Sequence, residues 1–578
     1  MKPINLLVVL LVLGLGVLLQ SCNSDKPSDI KAKADHLYTG ATIFTSNPEA
    51  PWAQAMAVKG DRILFTGARE EADDFIHANT TIHNLNNQLI LPGFIDAHAH
   101  PGSIALNNQL ISLPEAESLT AQMADIAELL ETHADLPVIY AIGWENNFFG
   151  IEGPDRKVLD QLDASRPILI FDSTMHSLWV NSKALDMSGI GDNPEDPVPN
   201  FSYYQRDKNG QLTGYITESA ASLFLTRFFT MGNKETAVLQ SFLNYLSERG
   251  VTTLFDAGNF GLDDEVYQAV SQLEQQGLLP LRYHGSYTLY LPQQLPTAIA
   301  ELKRLGERYN SEKIRIDTLK IFYDGVIETR TAHLLEDYID TPGNRGESLF
   351  SEQALYQLLL ELDQERINVH IHALGDQSSN TVLNAVEQAR NTLGRPLAIQ
   401  VTITHLHIVD PADFKRYQAL EVIANFTPAW HGYDDAYYAE ALGERAYHPY
   451  PAGALLEQGA TINFSSDVYF PSEWEDGSAS PFMGIQVGHT RQYSWDKPDS
   501  KPSGPVTEQL SLETMVQGYT LNGAKQLSRQ NSLGSLQAGK KADFIVLEKN
   551  LFTMDKYAIH QVLPKAVVVD GQLIHGTL

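Results

Sequence analysis

Two histidines spaced by one residue close an apolar run, Phe94-Ile95-Asp96-Ala97-His98-Ala99-His100. On a strand, positions i and i+2 share a face. Both imidazoles then point to one side, where they can bind a borderline metal ion such as zinc. Alone, a His-x-His step is no more than two polar residues at a strand end. Its partners give it weight. Lys320 lies in Thr318-Leu319-Lys320-Ile321-Phe322-Tyr323, and His372 ends Val369-His370-Ile371-His372-Ala373. His405 ends Ile403-Thr404-His405, and Asp467 ends Asn463-Phe464-Ser465-Ser466-Asp467. These residue types at the tips of short apolar runs suit metal-assisted hydrolysis. A lysine inside an apolar strand is costly unless its charge is removed or paired. Carbamylation by carbon dioxide would make Lys320 an anionic ligand able to bridge two metal ions; a snorkelling or ion-paired lysine is the plainer reading. His370 reads as pointing opposite to His372, toward the core or a helix.

Such residues need a scaffold that brings distant strand tips together. The middle of the chain alternates short apolar strands with helical segments, the signature of a parallel sheet. Eight strands are expected: Leu91–His98, Thr252–Asp256, Leu281–Tyr287, Thr318–Tyr323, Val369–Ala373, Ala398–His405, Val422–Phe426 and Thr461–Asp467. In a (β/α)8 barrel their C-terminal tips share one mouth, where active sites lie. Residues 103–250 break the rhythm and read as an inserted, substrate-covering subdomain after strand one. Both chain ends are rich in alternating strands, with hairpin signals at Lys59-Gly60-Asp61 and Asp570-Gly571. A small β-sandwich built from residues 37–90 and 526–578 is the economical arrangement. The hydrolase barrel then spans 91–525.

The constellation resembles the amidohydrolase superfamily, with His-x-His on strand one, Lys on four, His on five and six, and Asp on eight. Further motifs are similar to amidohydrolase family 3, which includes N-substituted formamide deformylase: Gly143-Trp144-Glu145-Asn146-Asn147, Met175-His176-Ser177-Leu178-Trp179-Val180-Asn181, Thr213-Gly214-Tyr215-Ile216-Thr217-Glu218, His372-Ala373-Leu374-Gly375-Asp376 and Leu533-Gly534-Ser535-Leu536-Gln537-Ala538-Gly539. The resemblance implies a distorted TIM barrel, a β-sandwich and usually zinc, as one or two ions, with another divalent metal as the alternative. It implies His98, His100 and Asp467 at the more buried ion, His372 and His405 at the second, and carbamylated Lys320 between them. Asp467 would take a proton from water and pass it to a leaving amine. The implied reaction is cleavage of a non-peptide C–N bond in a small molecule: an amide, a formamide or a cyclic amide. Deamination, lactone opening and a ligand-binding protein without catalysis are the rivals. The chain departs from the family pattern at His407, where many relatives carry glutamine, at Thr329-Arg330-Thr331, and at Ile327-Glu328, where Leu-Gly is usual.

Other candidates carry two readings each. Glu218 is an extra metal ligand or substrate contact, or a solvated acid. His176 and Asn181 line the pocket or satisfy backbone groups. Asp324 and Arg330 follow strand four and would orient the Lys320 loop; Arg330 clamps a substrate carboxylate or forms a structural ion pair. Trp430, Tyr433, Tyr437 and Tyr438 pack on an apolar substrate group or on their own loop.

With 41 basic and 71 acidic residues the net charge is −30, which disfavours nucleic-acid partners. A hydrophobic share of 43% is enough for a large core. Lys2 and the apolar run from Ile4 to Leu19 read as a signal segment, too short to span a membrane. The only cysteine, Cys22, stands directly behind that run, as in a bacterial lipobox. Cleavage after residue 21 and lipidation of Cys22 would leave residues 23–36 as a tether, with the protein anchored at the bacterial cell envelope.

Overall fold

Eight strands are buried along almost their whole length, as parallel strands covered by helices must be. They are Phe94–Ala99 (β1), Val251–Asp256 (β2), Arg282–Leu289 (β3), Ile314–Phe322 (β4), Asn368–Ala373 (β5), Val401–His405 (β6), Ile423–Phe426 (β7) and Ile462–Phe464 (β8). The structure is a computed structural model. It describes residues 32–578 apart from 151, 229, 433–437, 471–473, 475 and 494–498. The expected signal segment, Cys22, Tyr433 and Tyr437 lie outside the described residues. Among the described residues no helix is long and apolar enough to cross a membrane.

The eight strands form one parallel sheet in sequence order from β1 to β8. Helices such as Asp263–Gln275, Ala298–Tyr309, Glu352–Glu365 and Asp376–Leu393 return the chain between strands. β8 and β1 share no regular ladder. They are joined just past their tips, where Asp467 N–H donates to the His98 carbonyl at 2.8 Å and His100 N–H to the Val468 carbonyl at 3.3 Å. The barrel is therefore nearly closed, and distorted at this seam.

Two strand bounds differ from the sequence reading for a physical reason. The run Leu91–His98 changes sheets at Gly93. Leu89–Pro92 pairs antiparallel with Phe544–Leu547, whereas β1 begins at Phe94. A side chain at Gly93 would overlap that of Thr252, so only glycine allows this crossing. At the other end, the chain leaves the ladder after Phe464, and Asp467 adopts φ +49° three residues beyond the strand.

The two chain ends meet in one further eight-stranded sheet. Tyr38, Ile43, Met56 and Val58 share an apolar cluster with Phe544, Val546 and Val568, so the two halves of that sheet face each other across a common core. Arg282, buried at the start of β3, ties this unit to the barrel by pairing with Asp543 and Asp570. The excursion after β1 holds a six-stranded sheet, from Ile111–Ser112 through Leu212–Thr217. It is apolar on both faces: Ile168 and Ile170 belong to one cluster and Leu169 and Phe171 to the other.

Candidate active site

The tips of the barrel strands open into a cavity of about 390 Å3, with His98, His100, Lys320, His372, His405 and Asp467 all in its wall. Nε2 of His98 lies 3.2 Å from Nε2 of His100, 3.1 Å from Nζ of Lys320 and 3.4 Å from Oδ1 of Asp467. The same carboxylate oxygen is 3.5 Å from Nε2 of His100. Ligand atoms about 2.0–2.1 Å from a tetrahedral zinc ion stand about 3.3 Å apart. The His98, His100 and Asp467 ligand atoms therefore fit a divalent ion and could hold one.

The outer ring nitrogens strengthen this fit. His100 Nδ1 is 3.0 Å from the Gly258 carbonyl, which can only accept, so Nδ1 carries the proton and Nε2 offers its lone pair to the cluster. His98 Nδ1 is 2.9 Å from His370 Nε2 and 3.2 Å from the Thr404 hydroxyl, which donates onward to Asn425. Burial holds His98 well below the ordinary imidazole range, helped by the charge of Lys320, and lowers His100 to about 3. Both are thus neutral, the form that ligates metal. Burial also pulls the Lys320 ammonium down, against the pull of Asp467 and Asp256, and pushes the Asp467 carboxyl up.

His405 and His372 stand beside this cluster with ring centroids 4.5 Å apart. His405 Nδ1 is buried with no hydrogen-bond partner among the described residues, 3.3 Å from Oδ2 of Asp467. That orphaned lone pair beside a carboxylate again suits a cation. His372 Nε2 turns instead toward the Gly325 carbonyl at 3.4 Å and Asp324 at 3.8 Å. Asp324 is fully buried, and its carboxylate accepts the backbone N–H groups of His333, Leu374 and Gly375, each at 3.0 Å. It pins the loop after β4 to the end of β5.

His370 corrects the sequence reading. It does not oppose His372. Residues two apart on a strand share a face, and His370 points into the barrel one layer below, against His98. Asp96, two residues before His98, is a neighbour that the sequence reading passed over, although the same alternation signals it. Its carboxylate accepts the N–H and hydroxyl of Ser466 and so locks the approach to Asp467; burial pushes its pKa up to about 6.

The insertion delivers a second polar pair to the cavity. Strands Ser177–Val180 and Leu212–Thr217 run antiparallel with Ser177 opposite Thr217, which brings His176 and Glu218 side by side at the strand ends. His176 Nδ1 and Glu218 Oε2 are 2.7 Å apart, and Glu218 N–H donates to the His176 carbonyl at 2.7 Å. Oε1 of Glu218 accepts from Thr331 at 2.6 Å and Thr329 at 3.2 Å. Glu218 is therefore no solvated acid: its side chain is fully buried, and its backbone sits at φ +52°, strained for a residue with a Cβ. Burial opposes charge on His176, yet Glu218, with Asp172 and Glu328, outweighs it and pushes its pKa up to about 9. Asn181 lies away from the cavity and caps a helix by accepting from Ala184 N–H.

Of the two readings of Arg330, the structure favours the ion pair. Its guanidinium is consumed by Asp340 and by the carbonyls of Ile327 and Glu328, and it does not reach the cavity wall. Trp430 does line the cavity, stacked on His405 at 5.5 Å between centroids. Phe260, Phe322, Tyr469 and Glu328 also line it; Glu328 stands at one of the departures from the family pattern, whereas nothing in the local sequence marks Phe260 or Tyr469.

The chain is similar to known proteins across most of its length. It is 28% identical over 441 residues to the exoenzymes regulatory protein AepA of Pectobacterium carotovorum subsp. carotovorum, covering 75% of this chain and 93% of that protein. It is 23% identical over 559 residues to the N-substituted formamide deformylase of Arthrobacter pascens, covering 93% of this chain and 98% of that enzyme. In fold it is similar to a metal-dependent hydrolase from Pyrococcus horikoshii OT3, with a TM-score of 0.66, 21% identity, and 90% and 99% of the two chains covered. The sequence profile of the amidohydrolase family matches residues 81–575, and this chain of nearly closed parallel barrel and His-His-Asp cluster belongs to that family of hydrolases.

Proposed function

We propose that the protein hydrolyses a C–N bond other than a peptide bond, in an amide, a formamide or a cyclic amide. One or two zinc or other divalent ions would be held by His98, His100, Lys320, His372, His405 and Asp467. The observation that carries this reading is the meeting of the His98 and His100 Nε2 atoms with the Asp467 carboxylate at 3.2–3.5 Å beside Lys320, on the wall of a cavity. A divalent ion in that position supplies Lewis acidity, lowering the pKa of water and polarising a carbonyl.

The chain's own residues do the rest. Asp467, its carboxyl raised by burial, is suited to accept the proton of the attacking water and to hand it to the leaving nitrogen. One C–O bond forms, the C–N bond breaks, and an acid and an amine result. Burial favours the uncharged amine of Lys320, the form that reacts with carbon dioxide to give a carbamate. His176, held by Glu218, presents its remaining ring nitrogen to a substrate polar group, and Trp430 offers an apolar face. The similarity to a formamide deformylase supports N-formyl compounds among the substrates.

Deamination and lactone opening on the same site, and ligand binding without catalysis, give different products or none. Incubation with N-formyl, N-acyl, amino-heterocyclic and lactone compounds distinguishes them by release of amine and acid, ammonia, or acid alone. Amine and acid, lost on chelation and restored by zinc, are expected. Ammonia alone, or turnover indifferent to chelation, would overturn the reading.

A further inference from the structure

The cavity wall holds a further polar group besides the histidine cluster. Glu328, in the loop after β4, lines the cavity and is partly buried. The Tyr438 hydroxyl donates to its Oε1 at 3.1 Å. Among the described residues its carboxylate has no ion pair and no other hydrogen bond. The Tyr438 ring stands edge-on to His407 with centroids 4.3 Å apart, and Tyr450 lies 4.7 Å from His407 on another side. His407 is 1% exposed, and its Nε2 has no hydrogen-bond partner among the described residues. A buried ring nitrogen left in this way calls for a polar group from a ligand.

The charges in the cavity are unbalanced in one direction. Glu218 has His176, and Asp467 faces Lys320 and the histidines. Glu328 forms no ion pair among the described residues, although its charge helps to raise the pKa of His176. Among the described residues no arginine lines the cavity, and Lys320 is the single lysine in its wall. Beside Glu328 a cationic substrate group would meet a carboxylate, aromatic rings and a ring nitrogen, whereas an anionic group would be drawn to His176 and a bound metal ion instead.

We propose that Glu328, Tyr438 and His407 form a subsite for a protonated nitrogen group, so that the preferred substrates are amides carrying a basic amine or amidine. The word substrate rests on the hydrolytic reading above; the subsite itself does not. A carboxylate in a partly dehydrated pocket attracts a cation more strongly than it would in water, and aromatic rings favour cations over anions.

Calorimetric titration of the zinc-loaded protein tests this with benzamidine, whose amidinium has no free lone pair for a metal, against neutral benzyl alcohol and anionic benzoate. Benzamidine is expected to bind about tenfold more tightly than benzyl alcohol, or better, as a charge-assisted hydrogen bond provides. Glu328→Gln should remove that advantage, and Glu328→Ala should do the same, with thermal melting reporting that each variant is folded. Equal affinity for the three probes in the parent protein, or an advantage that persists in both folded variants, would overturn the proposal. The measurement needs no turnover. Glu328-dependent benzamidine binding in a protein that cleaves no amide would contradict the hydrolytic reading and leave the subsite standing. Amide cleavage with no preference for cationic compounds would do the reverse.

Discussion

The backbone N–H of Asp467 donates to the carbonyl of His98 at 2.8 Å, so the bond that closes the barrel joins two residues of the candidate metal cluster. Asp467 reaches this position through a left-handed turn at φ +49°, steadied by Ser466 on Asp96. Closing the barrel and assembling the site are therefore one structural event. Strain at Asp467, at His405 (φ +78°) and at Glu218 is gathered where side chains are aimed at the cavity.

Asp467→Asn follows directly. Asparagine tolerates the left-handed conformation, and the closing bond uses the backbone, so the variant is expected to melt within a few degrees of the parent. Removing the carboxylate proposed to relay the proton should lower turnover by a factor of about 10²–10⁴. Metal analysis and steady-state rates check both halves; parent-like turnover in a folded variant contradicts the assigned role.

His176 makes stability depend on pH in the metal-free protein. Its folded pKa of about 9 lies above the ordinary 6.5. A raised cationic pKa stabilises fully below the unfolded value, and that contribution disappears as pH rises through the folded value. The stabilisation is on the order of 3 kcal/mol at most. Denaturant unfolding of the parent and of His176→Gln should differ most near pH 6 and converge above about pH 9. A gap that widens with rising pH would refute this.

Gly325 leaves room for the His176–Glu218 pair. A Cβ there would overlap the Thr331 hydroxyl and come within 2.5 Å of Glu218 Oε1. Gly325→Ala is expected to cost about 1–3 kcal/mol and to reduce turnover by displacing Glu218. Thermal melting and rates provide the check, with unchanged values in both counting against the arrangement.

Anchoring is tested at Cys22. Expressed from the full-length chain in a bacterium, the parent should partition into the detergent phase, and Cys22→Ser into the aqueous phase. Equal partitioning of the two would exclude a lipid on this thiol.

Much of the architecture is legible locally. Short apolar runs in alternation with helical segments mark all eight barrel strands, because burial on both faces of a parallel strand writes itself into consecutive residues. His98, His100, Lys320, His372 and His405 lie on or next to those runs, so strand period and strand direction suffice to send them to one mouth. His370 obeys the same rule: two residues before His372, it shares that residue's face and meets His98.

What the sequence determined, then, is which residues stand at strand tips, since that depends on patterns a few residues long. Tertiary structure alone decided the contacts between elements far apart in the chain. The seam between β8 and β1, the Gly93 crossing against Thr252, and the Glu218 carboxylate held by Thr331 each join residues more than a hundred positions apart. Arg330 shows the same limit at short range: its partner Asp340 is ten residues away, yet only the folded loop turns the guanidinium toward it and away from the cavity. Pairing across space leaves no period in the sequence, because the free energy of such a contact depends on where the rest of the fold places its partner.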